Sequence, residues 1–162
     1  GLMRTVAYEG VRAVEVPFAR DELSLLVLMP ETGELGALER SLTADRLAGI
    51  MGSMPQPSHT RLTIPRFSVR TRLDLRGALS TAGVRTALAA GALGAFVHEA
   101  RADVTEAGGG GRVGAAGVIV PVAMAPQQPD PALVEVDRPF LFLVRDRFTG
   151  APLVLGRVVD PR

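Results

Sequence analysis

The segment ALVEVDRPFLFLVRDRFTGAPLVLGRVV, from Ala132 to Val159, holds three apolar stretches separated by turn-forming residues. The stretches ALVEV, FLFLVRD and PLVLGRVV are short and rich in valine, leucine and phenylalanine, which is typical of strands. Thr149-Gly150 separates the last two stretches and favours a turn. The end of the chain therefore predicts three strands.

Strands are also predicted at the start of the chain. The segments RTVAY, VRAVEVPF and ELSLLVLMP are short and apolar, and the turn-like pairs Glu9-Gly10 and Arg20-Asp21 separate them. In the second segment Glu15 alternates with apolar neighbours, as in a half-buried strand. The run LSLLVLM is apolar throughout, which predicts a strand covered on both faces.

Two helices are predicted among these strands. Thr43 is a suitable N-cap for the first helix, and Gly52 ends its apolar periodicity. Asp74 caps the second helix, DLRGALSTAG, and Gly83 ends it. Between the two helices, TRLTIPRFSV predicts a strand with a bend at Pro65.

The order of these elements indicates the fold class. FVHEARADV alternates as a further strand, so strands dominate and the helices are dispersed among them. The pattern is α+β, without the alternation of strand and helix that marks a parallel sheet. With 162 residues, the chain is long enough for one domain with one sizeable core.

Composition excludes several function classes. The formal net charge is +1, with one Tyr and no Trp, which argues against a nucleic-acid or anionic-membrane surface. The chain has no cysteine, and no apolar run approaches the ~20 residues of a membrane span. The first residues carry no signal-peptide pattern, and because the chain opens on Gly1 we expect that a preceding segment is missing.

No enzyme active site or metal site is predicted. The segment from Gly109 to Gly114 matches G-x-G-x-x-G, but a β-branched run with a proline follows it where a dinucleotide site needs a helix. A Ser-His-Asp hydrolase is not predicted either, because the sequence lacks the G-x-S-x-G turn that carries the nucleophile. His98 lies in an apolar strand, which favours a hydrogen-bonded core histidine, and His59 is expected to be exposed.

The segment from Gly108 to Pro131 is the unusual part of the chain. It is rich in glycine and proline and lacks helical periodicity. Loops beyond ~12–15 residues in compact domains are usually functional or disordered. Composition alone leaves both a flexible insertion and a functional loop open.

The residues around this loop resemble one family. VEVDRPFLFLV resembles the C-terminal signature of the serpins, the serine protease inhibitor superfamily, and RDRFTGAPLVLGRVVDP resembles that family's last two strands. The likeness covers nearly the whole chain in the family's order, since four earlier segments also take part: AVEVPF with ELSLLVLMP, SLTADRL, IPRFSVRTRLDLRGAL and VHEARADVTEAG.

The resemblance implies a serpin-type multi-sheet α+β fold, of which this chain is the C-terminal part with mostly strands and two or three short helices. Residues 1–162 are then a partial serpin domain, and its reactive-centre loop spans about 108–131. The central strands of the family's main sheet lie before Gly1, so we do not expect these residues alone to inhibit a protease.

The resemblance also implies a function for the loop. In inhibitory serpins a serine protease attacks the loop and becomes acylated, and the loop then inserts into the main sheet and traps the enzyme. The family's usual loop length places the bait residue at Val122, with the scissile bond to Ala123. Met124 is the alternative bait residue. A small aliphatic residue here suits an elastase- or subtilisin-like protease.

Three residues match family positions at the base of the loop. Glu106 matches the acidic residue of the hinge, and Arg66 matches the basic residue that pairs with it. His98 matches the family's histidine beneath the opening sheet, which implies a hydrogen-bonding latch.

The hinge itself departs from the family pattern. Gly108 matches the hinge glycine, but Gly109 and Gly111 stand where the family has Thr or Ser followed by alanines. By strand alternation Gly109 and Gly111 share a face small enough to bury, and Arg112 points to the other side. Each glycine costs ~0.5–1 kcal/mol in a strand relative to alanine, so insertion is expected to be slow.

The resemblance completes the functional prediction. It implies a protease inhibitor that changes conformation, not an enzyme, with a serine protease as its partner and with no cofactor, metal, nucleic acid or membrane. It also implies an extracellular or secreted location. The alternatives are a non-inhibitory serpin-like binding or structural protein and a truncated, inactive fragment.

Overall fold

The computed structural model describes residues 1–19, 21–83, 97–104 and 131–161. Within those ranges the chain forms nine strands and three helices. In chain order they are β1 (Leu2–Tyr8), β2 (Val11–Pro17), β3 (Leu23–Pro30), α1 (Leu35–Ser41), α2 (Ala44–Gly52), β4 (Ser58–Thr63), β5 (Phe67–Asp74), α3 (Arg76–Thr81), β6 (Val97–Val104), β7 (Ala132–Glu135), β8 (Phe140–Asp146) and β9 (Pro152–Val158).

The described strands form two sheets. Seven of them lie in the order β7-β4-β1-β2-β3-β8-β9, and β5 pairs with β6 in a separate two-stranded sheet. Neighbours are antiparallel except β4 and β7, which are parallel. The predicted turns are confirmed where they are described, since Glu9, Gly10 and Gly150 all have positive φ, the region that favours glycine and tight turns.

Apolar side chains cover both faces of the large sheet. On one face Leu26, Leu28 and Leu141 pack with helix residues such as Leu38 and Ile50. On the other face Val27 and its neighbours pack against the β5–β6 sheet. Strand β3 is buried almost throughout, as its continuous apolar run predicts, because it has a layer above and a layer below.

The helix cap at Thr43 is confirmed. Its Oγ1 accepts a hydrogen bond from the backbone N–H of Arg46, and α2 ends at Gly52 as predicted. Helix α3 forms where it was predicted, with Asp74 Oδ1 accepting from the N–H of Arg76, but none of its residues is buried in the described chain.

Three further features differ from the sequence predictions. Helix α1 was not predicted, because it is short and lacks a side-chain cap; burial of Leu35 and Leu38 stabilises it instead. Pro65 marks a change of sheet and not a bend within one strand, since β4 and β5 lie in different sheets. Glu15 is buried, although its alternation predicted a half-buried strand.

Candidate functional site

The two sheets position the ends of the predicted loop. Strand β6 pairs with β5 in antiparallel register from Asp74–Val97 to Phe67–Val104, so the chain leaves the small sheet next to Phe67. It returns at β7, which pairs with β4 at the edge of the large sheet. The bait and hinge residues themselves lie outside the described residues and stay predictions: Glu106, Gly108, Gly109, Gly111, Val122, Ala123 and Met124.

Aromatic packing seats the β5–β6 sheet. The ring of Phe67 lies 5.6 Å from the ring of Phe140 in an edge-on arrangement and 5.2 Å from the ring of Phe142. Ala102 of β6 is buried in the same cluster. Because Phe67 is paired with Val104, this packing fixes the last residue of β6 before the loop.

Polar contacts join β5 and β6 on their opposite face. Ser68 Oγ donates to Asp103 Oδ1 at 2.5 Å, and Arg101 Nε lies 2.8 Å from Asp103 Oδ2. The hydrogen bond from Ser68 lowers the pKa of Asp103 below 3.8, with Arg101 adding to the effect against the opposing cost of burial. We call Ser68, Arg101 and Asp103 the loop-base clasp, since Asp103 lies one residue before the end of β6.

The clasp makes a pH-dependent contribution to stability. A lowered folded-state pKa stabilises the protein at pH values above 3.8, and the contribution disappears as pH falls through the folded-state pKa. We expect Asp103→Asn to be less stable than wild type at pH 7, with a difference that shrinks below pH 3.8. Urea denaturation at several pH values measures this difference.

Asp137 supplies a matched control for that measurement. Its pKa is also lowered, but by the adjacent Arg138, a contact that an unfolded chain largely keeps. Asp137→Asn is therefore expected to change stability less than Asp103→Asn. A difference between wild type and Asp103→Asn that stays constant from pH 7 to pH 2 would contradict the role of the charged carboxylate.

The structure describes both of the other predicted site residues. Arg66 is exposed and lies between Pro65 and the first residue of β5, two positions before the clasp residue Ser68. His98 lies opposite Leu73 in the β5–β6 register and lines a groove between that sheet and β9. His98 is exposed, in contrast to the core position that its apolar strand favoured.

Sequence reasoning missed a row of charged and polar residues across four strands. Arg4 Nη1 donates to Glu15 Oε2 at 3.0 Å, and Ser24 Oγ donates to Glu15 Oε1 at 2.8 Å. Arg145 Nη1 lies 3.8 Å from the same carboxylate. Only the register of β1, β2, β3 and β8 reveals this row, because its members are far apart in sequence.

The described residues contain neither a membrane-spanning helix nor a metal-binding cluster. No helix in the described ranges is long and apolar enough to cross a membrane. Among the same residues no cluster of His, Asp and Glu side chains has the composition of a metal site.

A family model and curated relatives match the chain. The model described as Serpin (serine protease inhibitor) matches residues 2–161. Probable serpin E3 of Danio rerio is 31% identical, over 99% of this chain and 40% of its own length. Serpin B9 of Homo sapiens is 31% identical, over 91% of this chain and 42% of its own length. The chain thus spans about 40% of the length of these relatives.

A solved structure shows the same fold. The crystal structure of uncleaved ovalbumin superposes with a TM-score of 0.77 and 24% sequence identity. The match covers 99% of this chain and 46% of that chain. The expected fold, a serpin-type multi-sheet α+β arrangement, is confirmed.

Proposed function

This chain belongs to the serpin family, and we propose that its natural gene product inhibits a serine protease with the segment at about 108–131 as bait. The protease serine Oγ attacks the carbonyl carbon of Val122. The bond to Ala123 breaks, its amine leaves with a proton, and Val122 stays bound to the serine as an ester. The loop then inserts into the main sheet and holds the enzyme in that state.

One observation carries the proposal. In the described part of the chain β6 pairs with β5 alone, so its second edge has unpaired backbone groups that can accept another strand. This strand directly precedes the loop segment. Insertion therefore needs no crossing of the chain, only a reversal of direction after β6.

The loop-base clasp and the Phe67 packing support the same proposal. Both hold β5 to β6 at the point where the chain leaves for the loop. A strand that receives an inserting neighbour must keep its partner on the other edge. The clasp and the aromatic contacts supply that attachment on opposite faces of the two-stranded sheet.

A specific feature favours the second candidate, a non-inhibitory serpin-like protein. The segment from Gly108 to Gly111 is four consecutive glycines. Each glycine in a strand costs ~0.5–1 kcal/mol relative to alanine, so four of them make insertion of the loop less favourable. If insertion is slower than deacylation, the ester is hydrolysed and the protein acts as a substrate.

Incubation with pancreatic elastase separates the two candidates. We expect an SDS-resistant band with the combined mass of protease and inhibitor, and cleavage after Val122 or a neighbouring residue. If the loop is cleaved, no complex forms and elastase stays fully active, the non-inhibitory candidate is favoured. If elastase leaves the loop uncut, neither Val122 nor Met124 is the bait residue, and Ala123 does not follow the scissile bond.

Two loop variants form a matched pair for this assay. Gly111 is on the face proposed to enter the sheet, and Arg112 is on the opposite face. Gly111→Glu places a charge in the core on insertion, so we expect cleavage without a complex. Arg112→Glu is expected to keep the complex. Equal behaviour of the two variants would contradict insertion as a strand.

We further propose that the protein acts outside the cell. The support is the family resemblance alone.

A further inference from the structure

Asp103 combines a charge with burial at the end of the strand that precedes the loop. It is one of two buried charged residues in the described ranges, with 8% of its surface exposed, and the other is Glu15. Asp103 lies directly opposite Ser68 in the antiparallel register, one pair before the sheet ends. We propose that Asp103 is a positioning residue for loop insertion, because its contact with Ser68 keeps the end of β6 on β5.

Both carboxylate oxygens of Asp103 have partners within this strand pair. Ser68 Oγ on β5 donates to Oδ1 at 2.5 Å, and Arg101 Nε on β6 lies 2.8 Å from Oδ2. Arg101 is on the same strand as Asp103, so it orients the carboxylate, and of the two contacts only the one from Ser68 joins the strands. A hydrogen bond to a charged acceptor is roughly twice as strong as one between neutral groups. The charge of Asp103 therefore strengthens the attachment of β6 to β5.

The position of this attachment connects it with the insertion step. β6 continues directly into the loop segment, so an acylated loop that inserts and carries the protease pulls on the last residues of β6. Each residue that detaches from β5 adds about 3.3 Å to the free chain. A longer free chain delays insertion while the ester is hydrolysed. Asp103 opposes this detachment, because its carboxylate would lose the hydrogen bond from Ser68.

The inference rests on the proposed bait mechanism, and its test uses the natural gene product with pancreatic elastase. Two quantities are measured: the second-order rate constant for attack on the loop, and the ratio of trapped protease to cleaved, released inhibitor. We expect Asp103→Asn to lower this ratio about fivefold, which corresponds to about 1 kcal/mol on the insertion barrier. The rate constant for attack is expected to stay unchanged, since attack precedes insertion.

Ser68→Ala tests the same contact from the other strand. It removes the donor hydroxyl and leaves the carboxylate in place, so we expect a similar loss of trapping. The double variant, Ser68→Ala with Asp103→Asn, is expected to be no worse than the more severe single variant, because both changes act on one hydrogen bond. Losses that multiply in the double variant would contradict the contact between Ser68 and Asp103 as the cause.

Glu99 provides a matched control on the same face of the same two strands. Its Oε1 accepts from Arg70 Nε at 2.8 Å, but the two side chains are 44% and 68% exposed. Glu99 also lies four residues further from the loop than Asp103. An exposed pair of this kind contributes little, so Glu99→Gln is expected to leave both measured quantities unchanged.

The outcomes distinguish this inference from the proposed function. If wild type forms the complex and Asp103→Asn gives the same ratio, the positioning role is overturned and the bait mechanism stands. Equal losses of trapping for Asp103→Asn and Glu99→Gln would also overturn the positioning role. If the wild-type loop is cleaved without any complex, or is not cleaved, both proposals are overturned. A loss of trapping at Asp103 and Ser68, with an unchanged rate constant for attack, supports the inference.

Discussion

Replacing Glu15 with alanine is expected to lower the free energy of unfolding by about 3–5 kcal/mol, the cost of removing one partner from a buried ion pair. Glu15 is only 2% exposed and is the acceptor for Arg4 and Ser24. Arg145 depends on it most, because two of its guanidinium nitrogens are buried without a hydrogen-bond partner among the described residues. Without Glu15, Arg145 loses the carboxylate that lies 3.8 Å from its Nη1.

Glu31 supplies the control for this prediction. It pairs with Arg12 at 3.4 Å, and both side chains are substantially exposed. Glu31→Ala is therefore expected to cost less than about 1 kcal/mol. Urea denaturation followed by circular dichroism compares the variants, since the chain has no tryptophan. Equal losses of unfolding free energy for Glu15→Ala and Glu31→Ala would contradict a stabilising role for the charged row around Glu15.

Gly156→Ala is expected to destabilise the protein by about 1–3 kcal/mol through overpacking. Gly156 lies opposite Phe142 in the β8–β9 register, and a Cβ atom there would overlap the Phe142 ring. That ring also contacts Phe67, so its displacement pushes on β5. The change should therefore loosen the small sheet that precedes the loop, which hydrogen exchange of the β6 amides measures.

Gly77 is the matched control for this substitution. It lies in α3, and a Cβ atom there meets nothing within 4 Å. Gly77→Ala is expected to stabilise the helix by about 0.5–1 kcal/mol, because alanine loses less conformational entropy than glycine. If Gly156→Ala were neutral or stabilising in the same assay, the close packing of β9 on Phe142 would be contradicted.

Local sequence patterns predicted most of the elements. Alternation, apolar runs and turn residues are short-range signals, so β3 was found with its burial on both faces and α2 with its cap at Thr43. Helix α1 was missed because tertiary contacts of Leu35 and Leu38 stabilise it, and its local sequence gives no strong start signal. The sheet change at Pro65 was missed for a similar reason, since only pairing partners reveal it.

The candidate site was predicted less completely than the fold. The family resemblance pointed to Arg66 and His98, and the structure describes both at the β5–β6 sheet. The clasp between Ser68 and Asp103 joins residues 35 positions apart. The charged row around Glu15 spans four strands. Contacts of this kind depend on strand register, which a single sequence does not specify when both faces of a strand are apolar.

The most direct test of the bait mechanism is the chemical identity of the protease adduct. The natural gene product is incubated with elastase, the mixture is digested at low pH to preserve esters, and the peptides are identified by mass spectrometry. We expect a peptide ending at Val122 in ester linkage to the protease catalytic serine, together with a free amino terminus at Ala123. A loop cleaved to a free carboxylate, with unmodified protease and no ester-linked peptide, would contradict it.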